Sequence, residues 1–393
     1  MQPGLTQADV PVVGARNWAP DVEDARKASD GYLPASRTAA GIQEAADAAQ
    51  ADEATLLLRG EYEIDDTVQI RCDTDGRAAR IVSTSTSAIP VVVGGWQDDA
   101  GSYTGWVDNI RVTLPRIIQS GRTKGTGTWS GNDIGAAIVK LRRSYVHAPY
   151  IDNFTHGLVV AGYGTASSMH WGGTGYNTIV AGLIYDCKIG VDVYAAHPLV
   201  GNIHGWANSN RFFVYPRTED ATEGTAVSGA RYIRLMRGST GLYPVTHNVF
   251  YSPWIENDFP EYHIELNQAY DNKFDCGRYE PSAGTITVRL ANALRNVFED
   301  GFGVDSIAAS VAGGTTNTDN MVRSSAGIRY LGSTGSVAVG SGDAFQTGRG
   351  ATGSRPTAST HGVGAVWFDT TLNKPIWVNA AGTGWVDATG TAV

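Results

Sequence analysis

The chain has 393 residues, 42% of them hydrophobic and only 18% charged, with 48 glycines. That composition excludes a disordered chain and suits a turn-rich all-β protein with a real core. A formal net charge of −9 and a pI near 5.4 leave no basic footprint for nucleic acid or an anionic membrane surface, apart from the local pair Arg142 and Arg143.

Three cysteines, Cys72, Cys187 and Cys276, are scattered and odd in number. They predict neither a disulfide framework nor a zinc site, but small buried hydrophobes. The opening residues Met1-Gln-Pro-Gly-Leu-Thr6 lack a basic start and an apolar stretch, so the expectation is synthesis in a cytoplasm without an export leader. No apolar run approaches the ~18 residues of a membrane-spanning helix. The length alone permits two or three domains or one long repetitive body.

In chain order, residues 1–35 are irregular and rich in Pro, Asp and Gly. The one clear helix signal spans Thr38 to Gln50: Ile42, Ala45, Ala46 and Ala49 share a face, and Ser36 or Thr38 is placed to cap it. Ala54 to Ile70 reads as two strands around a Gly60 turn. Val107 to Leu114 predicts another strand, followed by a Gly/Thr/Ser loop from Ser120 to Gly135. Ile151-Asp-Asn-Phe-Thr-His-Gly157-Leu aligns with Ile184-Tyr-Asp-Cys-Lys-Ile-Gly190-Val at an offset of 33. The step from Asn210 to Asn248 is 38 and places an insertion near Thr218 to Gly229.

From Asn248 onward the period tightens. Asn248-Val-Phe250, Asn272-Lys-Phe274, Asn296-Val-Phe298 and Asn320-Met-Val322 recur every 24 residues, and Ile264/Val288, Leu266/Leu290 and Glu256/Glu280 keep the same step. A fixed period in the low twenties marks a solenoid. Short runs of β-branched and aromatic residues between Gly, Pro, Asn and Asp make its rungs strands, not helices. The fold class is therefore all-β: a right-handed parallel β-helix. The recurrent Asn is expected to tolerate the turn dihedrals and to stack, rung on rung, into an amide ladder.

After Val322 the composition turns to Gly, Ser, Thr and Ala until Thr360, either a linker or thin strands pairing with neighbouring chains. Gly364-Ala-Val-Trp367-Phe-Asp369, Lys374-Pro-Ile-Trp377-Val and Gly384-Trp385-Val-Asp387 then predict a three-strand meander with turns at 370–374 and 380–384. Division into 1–53 (capping segment), 54–323 (β-helix), 324–354 (linker or interchain strands) and 355–393 (meander) follows. A meander this small is marginal alone, and threefold association burying Trp367, Trp377 and Trp385 is the expected remedy.

Two stretches resemble a known family. A short helix, an apolar strand, Gly60-Glu-Tyr62-Glu-Ile64 and Thr67-Val-Gln-Ile70 are similar to the opening of pectate-lyase-like β-helices of bacteriophage tailspikes, in which the helix caps the solenoid's open edge; the usual lead-in survives only as Asp30-Gly31. Phe368-Asp-Thr-Thr-Leu-Asn-Lys-Pro-Ile-Trp377 and Trp385-Val-Asp-Ala-Thr-Gly390 resemble a short C-terminal module of phage tail fibres and tailspikes. The resemblance implies a homotrimeric virion protein, made in the host cytoplasm and attached to the tail or baseplate, that recognises and depolymerises a bacterial capsule, exopolysaccharide or lipopolysaccharide. The missing basic footprint, the missing apolar run and the missing His/Cys cluster and phosphate loop give the expectation of no nucleic-acid partner, no membrane insertion, no metal and no cofactor. The alternatives are a non-catalytic receptor-binding or structural fibre, and a free polysaccharide lyase or hydrolase.

The catalytic candidates are Glu256 and Glu280, one rung apart, with Asp258 and Asp275 as further carboxylates near the same turns. With the rungs stacked in step their Cα atoms lie about 5 Å apart, a like-charge proximity that raises one pKa and suits a retaining glycosidase better than an inverting one. Trp254, Tyr251, Tyr279 and Arg278 lie beside them as substrate-binding candidates; the plainer alternative is a solvated Glu edge paired with Arg278 or Lys273. Asp300 and Asp305, near the same turns, could also supply the second carboxylate; the plainer reading of each of the four Asp is a turn residue. Asp152, His156, Asp186, Asp192, His197 and His204 offer a His base for a lyase, but no spacing ties them together. Trp171 and Trp206 read as core or turn plugs.

Overall fold

The computed structural model describes residues 31–95, 106–122, 129, 132–163, 172–197, 205–217, 227–238, 243–256, 260–275, 277–280, 286–312, 317–324, 327–331, 349–360 and 366–393. Among these, one α-helix, α1 (Ala39–Ala51), opens the fold, and Thr38 caps it by accepting the Gly41 amide at 3.2 Å. Its buried stripe is Ala39, Gly41, Ile42, Ala45, Ala46 and Ala49. Gln43 then acts as a substitute strand: its amide accepts the Gln69 N–H at 2.7 Å and donates to the Gln69 carbonyl at 3.2 Å. Val68–Ile70 is the first strand of its sheet, so the helix covers an edge that would otherwise be open to pairing.

The rest of the solenoid is a parallel β-helix. A long sheet runs from Leu56–Ile64 through Tyr145–Asp152, Thr178–Tyr185, Arg211–Arg217 and the short strands Val249–Tyr251, Lys273–Asp275 and Val297–Glu299 to Asn320–Ser324. A second sheet of nine strands runs from Val68–Ile70 to Ile307–Val311. A third face is built from short pieces, among them Leu141–Arg142, Gly173–Gly175, Trp206–Asn208, Val245–Thr246 and Ala269–Tyr270. The expected registers hold: Ile151 pairs with Ile184, Val249 with Lys273, Ile264 with Val288, Leu266 with Leu290. The long sheet ends in an antiparallel hairpin, Asn320–Ser324 with Gly327–Leu331, so this part of the Gly/Ser-rich segment pairs within its own chain.

The amide ladder is longer than the 24-residue period implies. Asn177, Asn210, Asn248, Asn272, Asn296 and Asn320 are all at most 1% exposed, and each Nδ2 donates to the next Oδ1 at 2.8–3.1 Å. Each ladder residue's own backbone N–H reaches the same oxygen, as from Asn248 to Asn272 at 3.0 Å. The turn dihedrals belong to the preceding residue. Asn109, Arg143, Tyr176, Ser209, His247, Asp271, Arg295 and Asp319 all adopt φ of 49–61°, so every rung bends through a left-handed corner and the Asn hydrogen-bonds what the bend leaves unpaired. Two positions past the ladder, Phe212, Phe250, Phe274 and Phe298 stack at 4.5–4.8 Å, near-parallel and fully buried, the spacing of adjacent strands.

Gly60 differs from its expected role. Leu56–Ile64 is one strand; Gly60, at φ 80°, sits beside a register shift between Leu57 and Arg59. Its positive φ serves a bulge, and the turn falls after Ile64. Val107–Leu114 likewise divides into Val107–Asp108 and Arg111–Thr113 at the Asn109 corner.

The C-terminal meander forms as expected from Val366–Asp369, Lys374–Val378 and Trp385–Val386, with Arg349–Gly350 added in parallel. The motif residues hold its turns. Buried Asp369 accepts Arg355 Nε, Thr352 Oγ1 and the N–H groups of Thr371 and Leu372, and Lys374 pairs with Asp387 at 2.8 Å. Trp385 is already buried by the chain's own Ala358, Ile376 and Val378, so its burial needs no partner subunit, contrary to the sequence-based expectation.

Candidate functional site

Ser252, at φ 45°, turns the chain out of the long sheet into Trp254–Glu256, which pairs in parallel with Arg278–Glu280. The register is Trp254 with Arg278, Ile255 with Tyr279 and Glu256 with Glu280. Ile255 is fully buried and Tyr279 is 2% exposed. Tyr279 is therefore a core residue, its hydroxyl pushed well up by burial and unpaired. It cannot offer a ring face to a ligand; alternation along the strand sends it inward.

Trp254 is half-buried. Its ring stacks on Tyr215 of the preceding rung at 4.6 Å and carries the Arg278 guanidinium of the next rung at 4.3 Å. Both neighbours lie along the solenoid axis, so the indole presents its edge, with a buried Nε1 that has no partner. Tyr251 stacks on Phe213 at 5.2 Å, and Phe213 is 42% exposed. Tyr251 is in register with Asp275, which accepts Lys273 at 3.2 Å; Lys273 also binds Glu299, which meets Arg323 at 3.4 Å. Asp275 thus belongs to a surface ion chain, and Lys273 is committed to that chain. Asp258 lies outside the described residues. Asp300 occupies a left-handed corner and Asp305 a short 3-10 turn, Val304–Ser306.

The mid-chain residues do converge where no sequence spacing tied them together. Asp192, fully buried on Ile189–Tyr194, accepts His156 Nδ1 at 2.8 Å, His197 Nε2 at 3.3 Å, and Arg234 through Nε at 2.8 Å and Nη2 at 2.6 Å. Burial would raise its carboxyl, and Arg234 with the two imidazoles overrides that, holding it well below the usual range. Burial lowers His197. Tyr194 packs on His197 at 4.6 Å and carries Arg234 at 5.0 Å. Asp192 is the first of an alternating charge row across the second sheet, in register with Arg234, Glu265 and Arg289. His156, Asp192 and His197 are close enough to hold a metal, but the Arg234 fork occupies both oxygens of Asp192, and a cation would meet a guanidinium. The arrangement is a charge-satisfied plug.

Asp152 and Asp186 are buried near the corner between the long and second sheets. Tyr150 contacts Asp152 at 3.3 Å and is pushed up to about 12, by burial first and by that carboxylate second. Neither Asp joins the Asp192 group, and His204 lies outside the described residues. Arg234, Tyr194 and Tyr215 carry these contacts without having been flagged by sequence; Arg234 has a signal in its register with Asp192, whereas Tyr194 and Tyr215 lie in register with Ala161 and Leu183 and have no such sign.

No helix among the described residues is long and apolar enough to cross a membrane. No protein-family profile matches the chain, and no curated protein does. Among solved structures, the ORF18 protein of Geobacillus virus E2 is similar over 94% of this chain and 88% of its own, at 11% identity and a TM-score of 0.42. Tailspike protein 3 of bacteriophage CBA120 matches over 97% and 73%, at 13% identity and 0.25. The A-module of the Azotobacter vinelandii mannuronan C-5 epimerase matches over 77% and 95%, at 13% identity and 0.33.

Proposed function

We propose that this chain is a tailspike-type protein: a homotrimeric, virion-borne β-helix that binds a bacterial surface polysaccharide and cleaves it, with Glu256 and Glu280 as the reacting carboxylates. The observation that supports this most is the direct register of Glu256 with Glu280. Adjacent strands lie about 4.8 Å apart, near the ~5–5.5 Å carboxyl separation of retaining glycosidases. In that chemistry one carboxyl serves as the acid and the other as the nucleophile. The neighbouring edges of Trp254 and Tyr215 and the half-buried Tyr251 supply apolar contact for sugar rings.

A second reading, a non-catalytic receptor-binding fibre, draws support from Trp254 itself: rings and guanidinium stacked along the axis leave the pair without an open aromatic platform. The experiment is incubation of the protein with purified capsules, exopolysaccharides and lipopolysaccharides from a bacterial panel, followed by size-exclusion chromatography and reducing-end assay. Shortened chains from at least one source are expected. Binding without shortening would replace the first reading with the second, and binding to none would end both.

A further inference from the structure

A different face of the solenoid carries a pocket of about 410 Å³ lined by Tyr176, Trp206, Asn208, Ser209, Tyr243, Thr246 and His247. It lies at the corner leading into the long sheet, whereas Glu256 and Glu280 follow the corner leading out of it.

The pocket is built by the rung geometry. Tyr176, Ser209 and His247 are the left-handed corner residues of three successive rungs, at φ 61°, 58° and 56°. They precede Asn177, Asn210 and Asn248 of the buried ladder, so the backbone beneath them is held by amide hydrogen bonds while their side chains project outward. Tyr176 is 64% exposed, an aromatic ring left in water on a strained corner. Trp206 lies across the backbone of the preceding rung. A Cβ on Gly173 would collide with its indole, and one on Gly175 would come within 2.6 Å of it. The two glycines are a bed for one face of the ring. Trp106 meets Trp206 edge-on at 6.1 Å and is itself covered by Arg142.

The polar groups around these rings are not spent. The Asn208 carbonyl oxygen accepts the Thr246 N–H at 2.9 Å, which orients the amide and leaves Nδ2 without a partner. Trp206 Nε1 and the hydroxyls of Tyr176 and Tyr243 have none either among the described residues. Among the described residues the lining holds no carboxylate, Lys or Arg, and His247 is its one titratable group besides the tyrosines. Aromatic walls with a few oriented donors and no fixed charge suit a ring that is apolar on its C–H faces and hydroxylated at its edge.

We infer that this pocket binds a neutral pyranose unit of a polysaccharide and anchors the chain apart from the carboxylate pair. The inference rests on the polysaccharide reading above and names a site for it. Stacking on Trp206 and Tyr176 supplies affinity, and Asn208 Nδ2 with Trp206 Nε1 selects for hydroxyls.

The test is an array of neutral and charged bacterial polysaccharides probed with the full chain, with Tyr176→Ala, with Trp206→Ala, and with Leu33→Ala as a control, Leu33 being 51% exposed at the capped end of the solenoid. The inference expects neutral glycans to bind, Tyr176→Ala and Trp206→Ala to weaken them at least about ten-fold, and Leu33→Ala to leave them unchanged. Tyr176 has little packing to lose, so its variant remains informative if Trp206→Ala fails to fold. Glycan binding that survives Tyr176→Ala unaltered, or that is confined to charged polymers, overturns the pocket but not the polysaccharide reading. Absence of any glycan binding overturns both.

Discussion

Asn272→Leu removes one rung of the amide ladder while keeping roughly the side-chain volume. In the native chain, Asn272 Oδ1 accepts the Asn248 backbone N–H at 3.0 Å and Asn248 Nδ2 at 3.1 Å, and Asn272 Nδ2 donates to the Val245 carbonyl at 3.0 Å. Asn248 Nδ2 retains Ala207 and Thr246 as acceptors, but its buried backbone N–H loses the bond that Asn272 supplies, and the Val245 carbonyl loses its side-chain donor. The Val245 carbonyl stays in the strand ladder with Ala269–Tyr270, so the Asn248 N–H is the group left unsatisfied, at a cost of about 1–3 kcal/mol. Because contacts in a solenoid are between neighbouring rungs, the damage should be local: the Asn248 amide should exchange with solvent much faster, and global urea unfolding should shift to lower concentration. Asp319→Asn, at an exposed left-handed corner of the same row, serves as the control. Wild-type unfolding together with a protected Asn248 amide in Asn272→Leu would refute the ladder's role.

Phe274→Ala empties the centre of the fully buried phenylalanine stack and should cost about 3–5 kcal/mol; a loss under 1 kcal/mol in urea unfolding would mean the stack is not tightly packed. His197 faces Asp192, His156, Arg234 and Tyr194, and burial lowers its pKa. Its contribution to stability should be complete above the unfolded value of about 6.5 and lost as pH falls below it, by at most about 1.4 kcal/mol per pH unit for one proton. Melting scans from pH 7.5 to 5 should show that slope, reduced in His197→Gln; an unchanged slope in the variant would assign it to other groups. Light scattering should give three times the chain mass of 41.7 kDa, and a single-chain mass in native buffer would exclude the trimer.

The solenoid was legible because its rungs are equal where the Asn-x-apolar pattern recurs. At a constant 24 residues, register is arithmetic, and Asn248 through Asn320 stand out. Upstream, the steps of 33 and 38 obscured Asn177 as a ladder member, although its bonds to Asn210 are the same. The left-handed corners were assigned one residue too late, because they tolerate Arg, Tyr and His, and composition does not mark them. Tyr279 stands out as a substrate-binding candidate because it adjoins Glu280, but strand alternation turns consecutive residues to opposite faces and sends its ring inward. The Asp192 group brings His156 and Arg234, 36 and 42 residues away in sequence, onto one carboxylate beside the near neighbour His197, and no local motif records the two long separations. Trp206 had a readable sign in Gly173, which lies one 33-residue rung before it and leaves space for the indole.

The most direct test of the account is turnover by Glu256→Gln and Glu280→Gln on a polysaccharide that the wild-type chain shortens. Positioned proton transfer contributes about 10²–10⁴-fold, so each variant should lose at least about 10²-fold in reducing-end release while retaining glycan binding and melting at or slightly above the wild-type temperature. Full turnover in both variants, or lost stability with turnover unchanged, would contradict the assignment of this pair as the reacting carboxylates.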